Sequence, residues 1–376
     1  MDRGYYTTMV KALSEVPDPR ERRGVRYPWV LLLTLIGAAM VGGQKHGRAI
    51  AQWVREHTEV LVGLLEPEGE RLPSESTLRR ALRSVDVIEL EARLAEFNGG
   101  VGTNGEELKA QAMDGKQVRG VGAHGRQLHL LSVARHDSGA VLAQIEVDSK
   151  ENEIAAAPRL LEGLKLSGTV TTTDAMLTQR ALARQILGQG GHYLMVVKEN
   201  QPGILEAISE LFEVGSWMPS EMGSRYWRYR SFEKGHGRLE VRILESSTVL
   251  QDWLDWPGVG QVMRRCCERV RVATGEVERE TSYAVTSLTP EQAGPEALEG
   301  YWRGHWSIEN KVHYVRDVTM GEDAGQAYTG STPQAMAALR NGIIGLLRRE
   351  GWSRIADALR HYSAHPDKAL RLIGAI

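Results

Sequence analysis

From Leu108 onward the chain switches between two hydrophobic periods, and the order of the switches limits the fold more than any other feature. Leu108 to Val118, Gln127 to Arg135 and Val141 to Val147 read as strands. Turn residues separate them: Gly120, Gly122 and Gly125, then Asp137-Ser138-Gly139. Glu153 to Leu164 reads as a helix with Ile154, Ala157, Leu160, Leu161 and Leu164 on one side. Val170 to Thr173 is a short β-branched strand ending at Asp174. Gln179 to Leu187 is a second helix, closed by the glycines between 188 and 191, and His192 to Lys198 is a strand. The order β-β-β-α-β-α-β predicts antiparallel strands adjoining a parallel set.

That order matches the ribonuclease-H-like architecture, so the expected class is α/β with a ribonuclease-H-like catalytic core. Pro202 to Val214 reads as a helix. The stretches Tyr226 to Phe232, Leu239 to Leu244, Gly260 to Val272 and Glu278 to Val285 then alternate like strands and form a β-rich insertion. Helical patterning resumes at Pro290, with one helix expected over Glu299 to Val318 and more over Pro333 to Arg349 and Ser353 to His361. The first hundred residues read as helical. Pro28 opens a segment, Val30 to Val41, that is apolar all round and must be buried. A helix is expected from about Ala49 to Leu65, and another after Ser74 or Ser76 through Leu78, Leu82 and Val85. This last helix carries Arg79, Arg80 and Arg83, which suits a helix-turn-helix reader and an ordinary surface helix equally. Asn98 to Gly105 has the composition of a linker. The expected domains are a helical N-terminal domain at 1–100, for which DNA binding is one of two open readings, a core at 106–200 and 288–376, and the insertion at 201–287.

Charge balance gives a DNA-binding reading no help, since the net charge is −2. A protein that grips phosphates needs a positive surface, but what matters is where the charges sit. Here they cluster: Arg20, Arg22, Arg23 and Arg26; Arg79, Arg80 and Arg83; Arg225, Arg228 and Arg230; Arg264, Arg265, Arg269 and Arg271. The longest apolar run, Trp29 to Gly43, is shorter than the ~18–20 residues of a membrane span, so no membrane partner is expected. The only cysteines, Cys266 and Cys267, are adjacent, which suits a reduced compartment and a cytoplasmic protein.

Three carboxylates stand out. Asp114 lies in apolar strand context, where a charge is costly unless paired or bound to metal. Asp174 closes a strand at the carboxyl edge, where ligands commonly sit in α/β sheets. Glu309 lies on the later helix. At about 100° per residue, Trp302, His305, Glu309, Arg316 and more loosely His313 share one side of it. Taken singly, each acid has a plain structural reading: Asp114 in a turn, Asp174 as a helix cap, Glu309 paired with Lys311 or Arg316. Taken together with the strand order, they suit two Mg2+ ions acting on a phosphodiester, because Mg2+ prefers carboxylate oxygens and needs few protein ligands. A transition-metal site at His305, Glu309 and His313 is the weaker reading, since no His-Glu-x-x-His motif accompanies it.

At these motifs the chain resembles bacterial insertion-sequence transposases of the DDE type, in the group containing the H-repeat-associated proteins. The resemblance runs over nearly the whole length: Pro17-Asp18-Pro19-Arg20, Pro73-Ser74-x-Ser76-Thr77, Asp114-Gly115-Lys116-Gln117-Val118-Arg119-Gly120, Lys150-x-Asn152-Glu153-Ile154 and Thr173-Asp174-Ala175. It continues through Lys198-x-Asn200-Gln201-Pro202, Lys234-Gly235-His236-Gly237-Arg238-Leu239-Glu240 and His305-Trp306-Ser307-Ile308-Glu309-Asn310, with Glu322-Asp323 beyond. It implies that Asp114, Asp174 and Glu309 are the catalytic, metal-holding acids and selects Glu309 over Glu322 and Asp323, which spacing leaves open. Related transposases carry a Tyr-x2-Arg-x3-Glu-x6-Lys signature. Its positions here are Trp302, His305, Glu309 and Arg316, so His305 replaces an arginine.

The activity implied is metal-dependent strand cleavage and strand transfer at the element's ends, with Mg2+ as cofactor and Mn2+ as a substitute. The implied partner is double-stranded DNA, both terminal repeats and target, with a dimer formed on it. Lys116, Arg119, Lys198, Asn200, His236, Arg238, His305 and Arg316 are the expected DNA contacts. Two other readings stay open: a domesticated or inactive relative that only binds DNA, and a stand-alone nuclease with no joining step.

Overall fold

The computed structural model describes residues 8–23, 25–99, 108–119, 128–215, 225–235, 237–325 and 329–376, with backbone alone at 214 and 215. The N-terminal helices are α1 (Met9–Ser14), α2 (Trp29–Val41), α3 (Gly47–Glu56), α4 (Thr58–Leu65), α5 (Glu75–Ser84) and α6 (Val87–Gly99). Strands β1 (Lys109–Val118), β2 (Leu128–Arg135) and β3 (Val141–Glu146) follow, then α7 (Glu153–Glu162), β4 (Thr169–Thr173), α8 (Arg180–Gly188), β5 (His192–Val197) and α9 (Pro202–Gly215). Four long strands come next: β6 (Tyr226–Gly235), β7 (Arg238–Ser247), β8 (Gln261–Arg271) and β9 (Val277–Thr286). The chain ends with α10 (Pro295–Gly304), α11 (Thr332–Arg349), α12 (Ile355–Ser363) and α13 (Pro366–Ile373).

Two compact units result. One comprises 1–105, 115–152 and 307–376; the other comprises 106–114 and 153–306. In the first unit α2 is the centre. Having no polar face, it has to be covered on all sides, and Leu33, Leu35, Ile36, Ala38 and Val41 are fully buried. What covers it includes C-terminal residues: Ile343, Ile344 and Leu347 of α11, Ala358 of α12 and Leu370 of α13 join the same apolar cluster. The helix expected over Ala49–Leu65 is two, because the chain leaves helical geometry at His57 (φ −108°, ψ 23°). The Thr58 hydroxyl there donates to the Arg55 carbonyl at 2.8 Å, a local bond that competes with helix continuation. Strand β2 stands between β3 and β1 in this unit's sheet. Among the described residues no helix is long and apolar enough to cross a membrane.

In the second unit the strand order is β1-β4-β5-β9-β8-β7-β6. β1, β4 and β5 run parallel, as helical crossovers require, and β5 to β6 are joined antiparallel. The β-rich insertion therefore extends the core sheet through β9 and is not a separate layer. Its exposed strands hold register with opposite charges: Glu240 faces Arg269, Glu245 faces Arg264 and Glu268 faces Arg279. Leu298 and Trp302 of α10 pack on this sheet with Val170, Leu194, Leu244 and Met263. Strand β1 runs through both units, so order 3-2-1 in one and 1-4-5 in the other is the ribonuclease-H-like order. The fold is α/β, with that core, a β-rich insertion and N-terminal helices.

The single helix expected over Glu299–Val318 is not formed. α10 stops at Gly304, and Glu309–His313 and Val315–Thr319 are π-helical turns. In them the Tyr314 N–H donates to the Glu309 carbonyl, and the Met320 N–H donates to the Val315 carbonyl at 2.9 Å. Each turn thus holds one residue more than an α-turn, and side-chain directions drift from the 100° spacing.

Candidate active site

The first pair of acids is placed by register. In the second unit β1 and β4 are parallel neighbours whose last pair is Met113 with Thr173. The next residue after each is an aspartate, so Asp114 and Asp174 lie side by side where β4 ends, on segments about 4.8 Å apart. Both are half-buried. Asp114 is not a turn residue, because β1 continues to Val118. Asp174 is the first residue past β4, and its Oδ1 accepts the Leu177 N–H at 3.1 Å.

The loop after Asp174 is braced from the neighbouring strand end. The Asn200 amide donates to the Ala175 carbonyl at 2.6 Å, and the Gln201 amide to the Thr178 carbonyl at 3.0 Å. The Thr178 hydroxyl reaches the Val196 carbonyl at 2.5 Å and the Asp174 carbonyl at 3.1 Å. His305, just past α10, is held with Nδ1 3.0 Å from the Thr172 hydroxyl. Thr172 and Asp174 are two residues apart and share a strand face, so His305 is pinned on the side that carries the aspartate. Sequence reading did not find Thr172.

Glu309 belongs to the first unit and opens a π turn. Its side chain is 59% exposed, so the carboxylate is accessible, and its Oε2 lies 3.0 Å from His313 Nδ1. That hydrogen bond holds the Glu309 carboxyl below its usual range, against an opposing effect of burial. His313 is itself buried, and burial pushes its pKa down despite the acid beside it. A neutral imidazole with its proton on Nδ1 donates to the carboxylate in this arrangement. His313 is thus the partner of Glu309, where the 100° spacing gives it only a loose place. The neighbouring Lys311 turns away, and its Nζ donates to the carbonyls of His136 and Asp137 at 2.7 and 2.6 Å.

Two of the expected DNA contacts need correction. Arg316 is fully buried; its Nε donates to Glu322 at 2.8 Å and its Nη1 to Gln144 at 2.9 Å. Its guanidinium is committed to those side chains. Lys116, expected near a turn, is inside β1 and only 6% exposed, with Nζ 2.6 Å from Asp317. A buried ammonium persists only when paired, and Asp317 is that pair. Glu322 is committed in the same way. Burial opposes its charge, but Arg316 and Arg340 outweigh this and hold its carboxyl below the ordinary range.

The remaining expected contacts divide by exposure. Arg119 has an exposed side chain at the end of β1, while its backbone N–H donates to Asp323 at 3.0 Å. Lys198 is exposed just beyond β5. Arg238 is exposed at the start of β7, opposite Gly235 and Arg271. His236 lies outside the described residues. Asn200 spends its amide on the Ala175 loop, as described above.

Two family models match the chain in succession. Residues 10–98 match the family described as DDE_Tnp_1-associated, and residues 105–346 match the family described as Transposase DDE domain. "Putative transposase YncI" of Escherichia coli O157:H7 is 27% identical over 350 residues, covering 91% of this chain and 87% of that protein. YhhI of Escherichia coli (strain K12), named as H repeat-associated, is 26% identical over 348 residues, 91% of this chain and 90% of its own length. The "Uncharacterized protein in dhlA 3'region" of Xanthobacter autotrophicus is 30% identical over 281 residues, 73% of this chain and 92% of that protein.

Proposed function

The chain belongs to the DDE-domain transposase family, and from that premise we propose that it cuts the ends of its own element and joins them to target DNA, with Asp114, Asp174 and Glu309 as the metal-holding acids. The observation that carries this reading is the register of β1 and β4, which brings two aspartates side by side with a braced loop behind them. Three carboxylates are the hard oxygen donors that Mg2+ takes, with Mn2+ as a substitute, and the donor set lacks the thiolates and multiple imidazoles of a zinc site. Bound ions at such a site activate the attacking oxygen and stabilise the departing one. His313 keeps Glu309 ionised and aimed, and His305 offers a donor on the Asp174 side. Arg119, Lys198 and Arg238 supply exposed cations for the DNA backbone, with His236 beside Arg238 in sequence. Two element ends have to be held together for joining, so the working form on DNA is a dimer.

Asp114→Asn, Asp174→Asn and Glu309→Gln each remove a charge while keeping side-chain size. Each variant is expected to lose cleavage of labelled element ends by at least ~1000-fold, yet to bind those ends as the parent protein does. Chelating the divalent ions abolishes cleavage and joining together. Joined products in the parent reaction separate a transposase from a nuclease that only nicks. Binding without any cut product marks an inactive relative. A variant that cuts at the parent rate removes that residue from the mechanism.

A further inference from the structure

Helix α5 divides two open grooves in the first unit, and arginines line both. One groove, of about 1070 Å3, is lined by His46, Arg48, Arg79, Arg80 and Arg83, with Glu75 as its acid. The other, of about 820 Å3, is lined by Arg20, Arg23, Arg26, Arg80 and Arg83, with Glu21 as its acid. Arg80 and Arg83 border both, so α5 is the ridge between them.

The helix is built to leave these cations outside. Leu78, Ala81 and Leu82 are buried on its inner side, while Arg79, Arg80 and Arg83 are exposed. Little of their charge is spent locally among the described residues: the Arg79–Glu75 contact is 3.8 Å, and Arg80 donates to the Thr77 hydroxyl at 3.5 Å. Arg23, Arg26 and Arg48 are exposed as well, whereas Arg20 is held by Asp18 and the Tyr27 carbonyl. The ridge is also firmly seated. The Ser331 N–H donates to the Arg83 carbonyl at 3.2 Å, and Leu78, Ala81 and Leu82 belong to the same apolar cluster as α2 and α11.

We propose that α5 and its two flanking grooves form the duplex-DNA-binding face of the N-terminal region, with α5 entering the major groove and the flanking arginines taking a phosphate strand on each side. Ten residues of helix span about 15 Å, and a helix with its side chains is ~10–12 Å across, the width of the B-DNA major groove. The deep, narrow major groove of A-form RNA does not admit it. Arg23 and Arg26 serve one strand, and Arg48 the other. The choice of DNA as ligand rests on the transposase reading; the face itself rests on exposure and charge.

Binding is measured on the full chain without divalent ions, using a generic B-form DNA duplex and an RNA duplex of the same sequence across a salt series. Arg79→Gln, Arg80→Gln and Arg83→Gln combined should lower the slope of log Kd against log salt by about 2–3 and weaken DNA binding at least ~10-fold. The corresponding lysine variant should keep the slope. A control carrying Arg354→Gln, Lys368→Gln and Arg371→Gln, which neutralises exposed cations elsewhere in the unit, should match the parent. Circular dichroism checks that the glutamine variant is folded. An unchanged slope in that folded variant, an equal loss in the control, or RNA bound as tightly as DNA overturns the proposal. The parent's metal-dependent cutting is read separately, so an unchanged slope with cutting intact removes this face and leaves the transposase reading standing.

Discussion

Glu91 is a residue whose charge the fold accommodates poorly. It lies on α6 at 9% exposure and receives amide protons from Gln144 at 2.7 Å and Gln334 at 3.2 Å. Burial outweighs these bonds and pushes its pKa up from 4.5 to about 7. Glu322, in the same unit, has two arginines against it and shifts the other way. The pH consequence follows from proton counting. Between about pH 4.5 and 7 the unfolded chain has released the Glu91 proton while the folded chain still holds it. Stability from this group is therefore present below pH 4.5 and is lost as pH rises to about 7, a fall of about 3 kcal/mol. Glu91→Gln removes that term. Denaturant unfolding of the parent and the variant between pH 4 and 8 should give curves that converge at low pH and separate in the variant's favour toward pH 7. Curves running parallel across that window would show that Glu91 does not titrate in it.

At the scale of elements, the π-turned segment around Glu309 depends on a glycine in a distant hairpin. Gly139, in the turn between β2 and β3, has φ +68°, and a Cβ there would stand 2.7 Å from the Lys311 Cβ. Gly139→Ala therefore combines left-handed backbone strain with a clash, and should cost about 1–3 kcal/mol in thermal or denaturant unfolding. It should also slow cleavage more than it weakens DNA binding, since Lys311 lies two residues from Glu309 in the same turn. An alanine variant with parent stability would mean that the hairpin yields freely. The strands of the core were legible from sequence because β-branched runs end in glycines and aspartates, as at Val170–Asp174. The placing of Asp114 within its strand and of Asp174 at the end of its own came with them. The π turns were not legible, since nothing local in Glu309–Thr319 marks the extra residue per turn. An analysis at 100° per residue therefore put Arg316 with Glu309 and left His313 loose. Nor could sequence reveal that Lys116 is spent on Asp317, which only the fold brings to it, or that Arg316 is buried against nearby Glu322.

For the molecule as a whole, a net charge of −2 coexists with strongly basic grooves because the charges are sorted by place. Arg264, Arg269 and Arg279 of the insertion strands are paired with acids across the sheet, while the arginines of α5 are left to solvent. Apolar burial is sorted differently from the family boundary near residue 100. Leu90 and Leu94 of α6 and Leu33, Leu35 and Ile36 of α2 share one cluster with Ala335, Leu339, Ile343 and Leu347 of α11. Each buried leucine or isoleucine is worth about 1.5–3 kcal/mol, so losing one side of this cluster exceeds the ~5–15 kcal/mol that holds a typical domain together. A fragment covering 105–376 should therefore leave α11 unfolded even though it retains the whole Transposase DDE domain match. Amide hydrogen exchange reads this directly. Amides of Leu339 to Leu347, slow in the full chain, should exchange in the fragment at the rate of an open peptide, and adding a peptide covering 8–99 should restore protection. If those amides stay protected in the fragment alone, the N-terminal helices are a separable attachment and the shared core is not what stabilises α11.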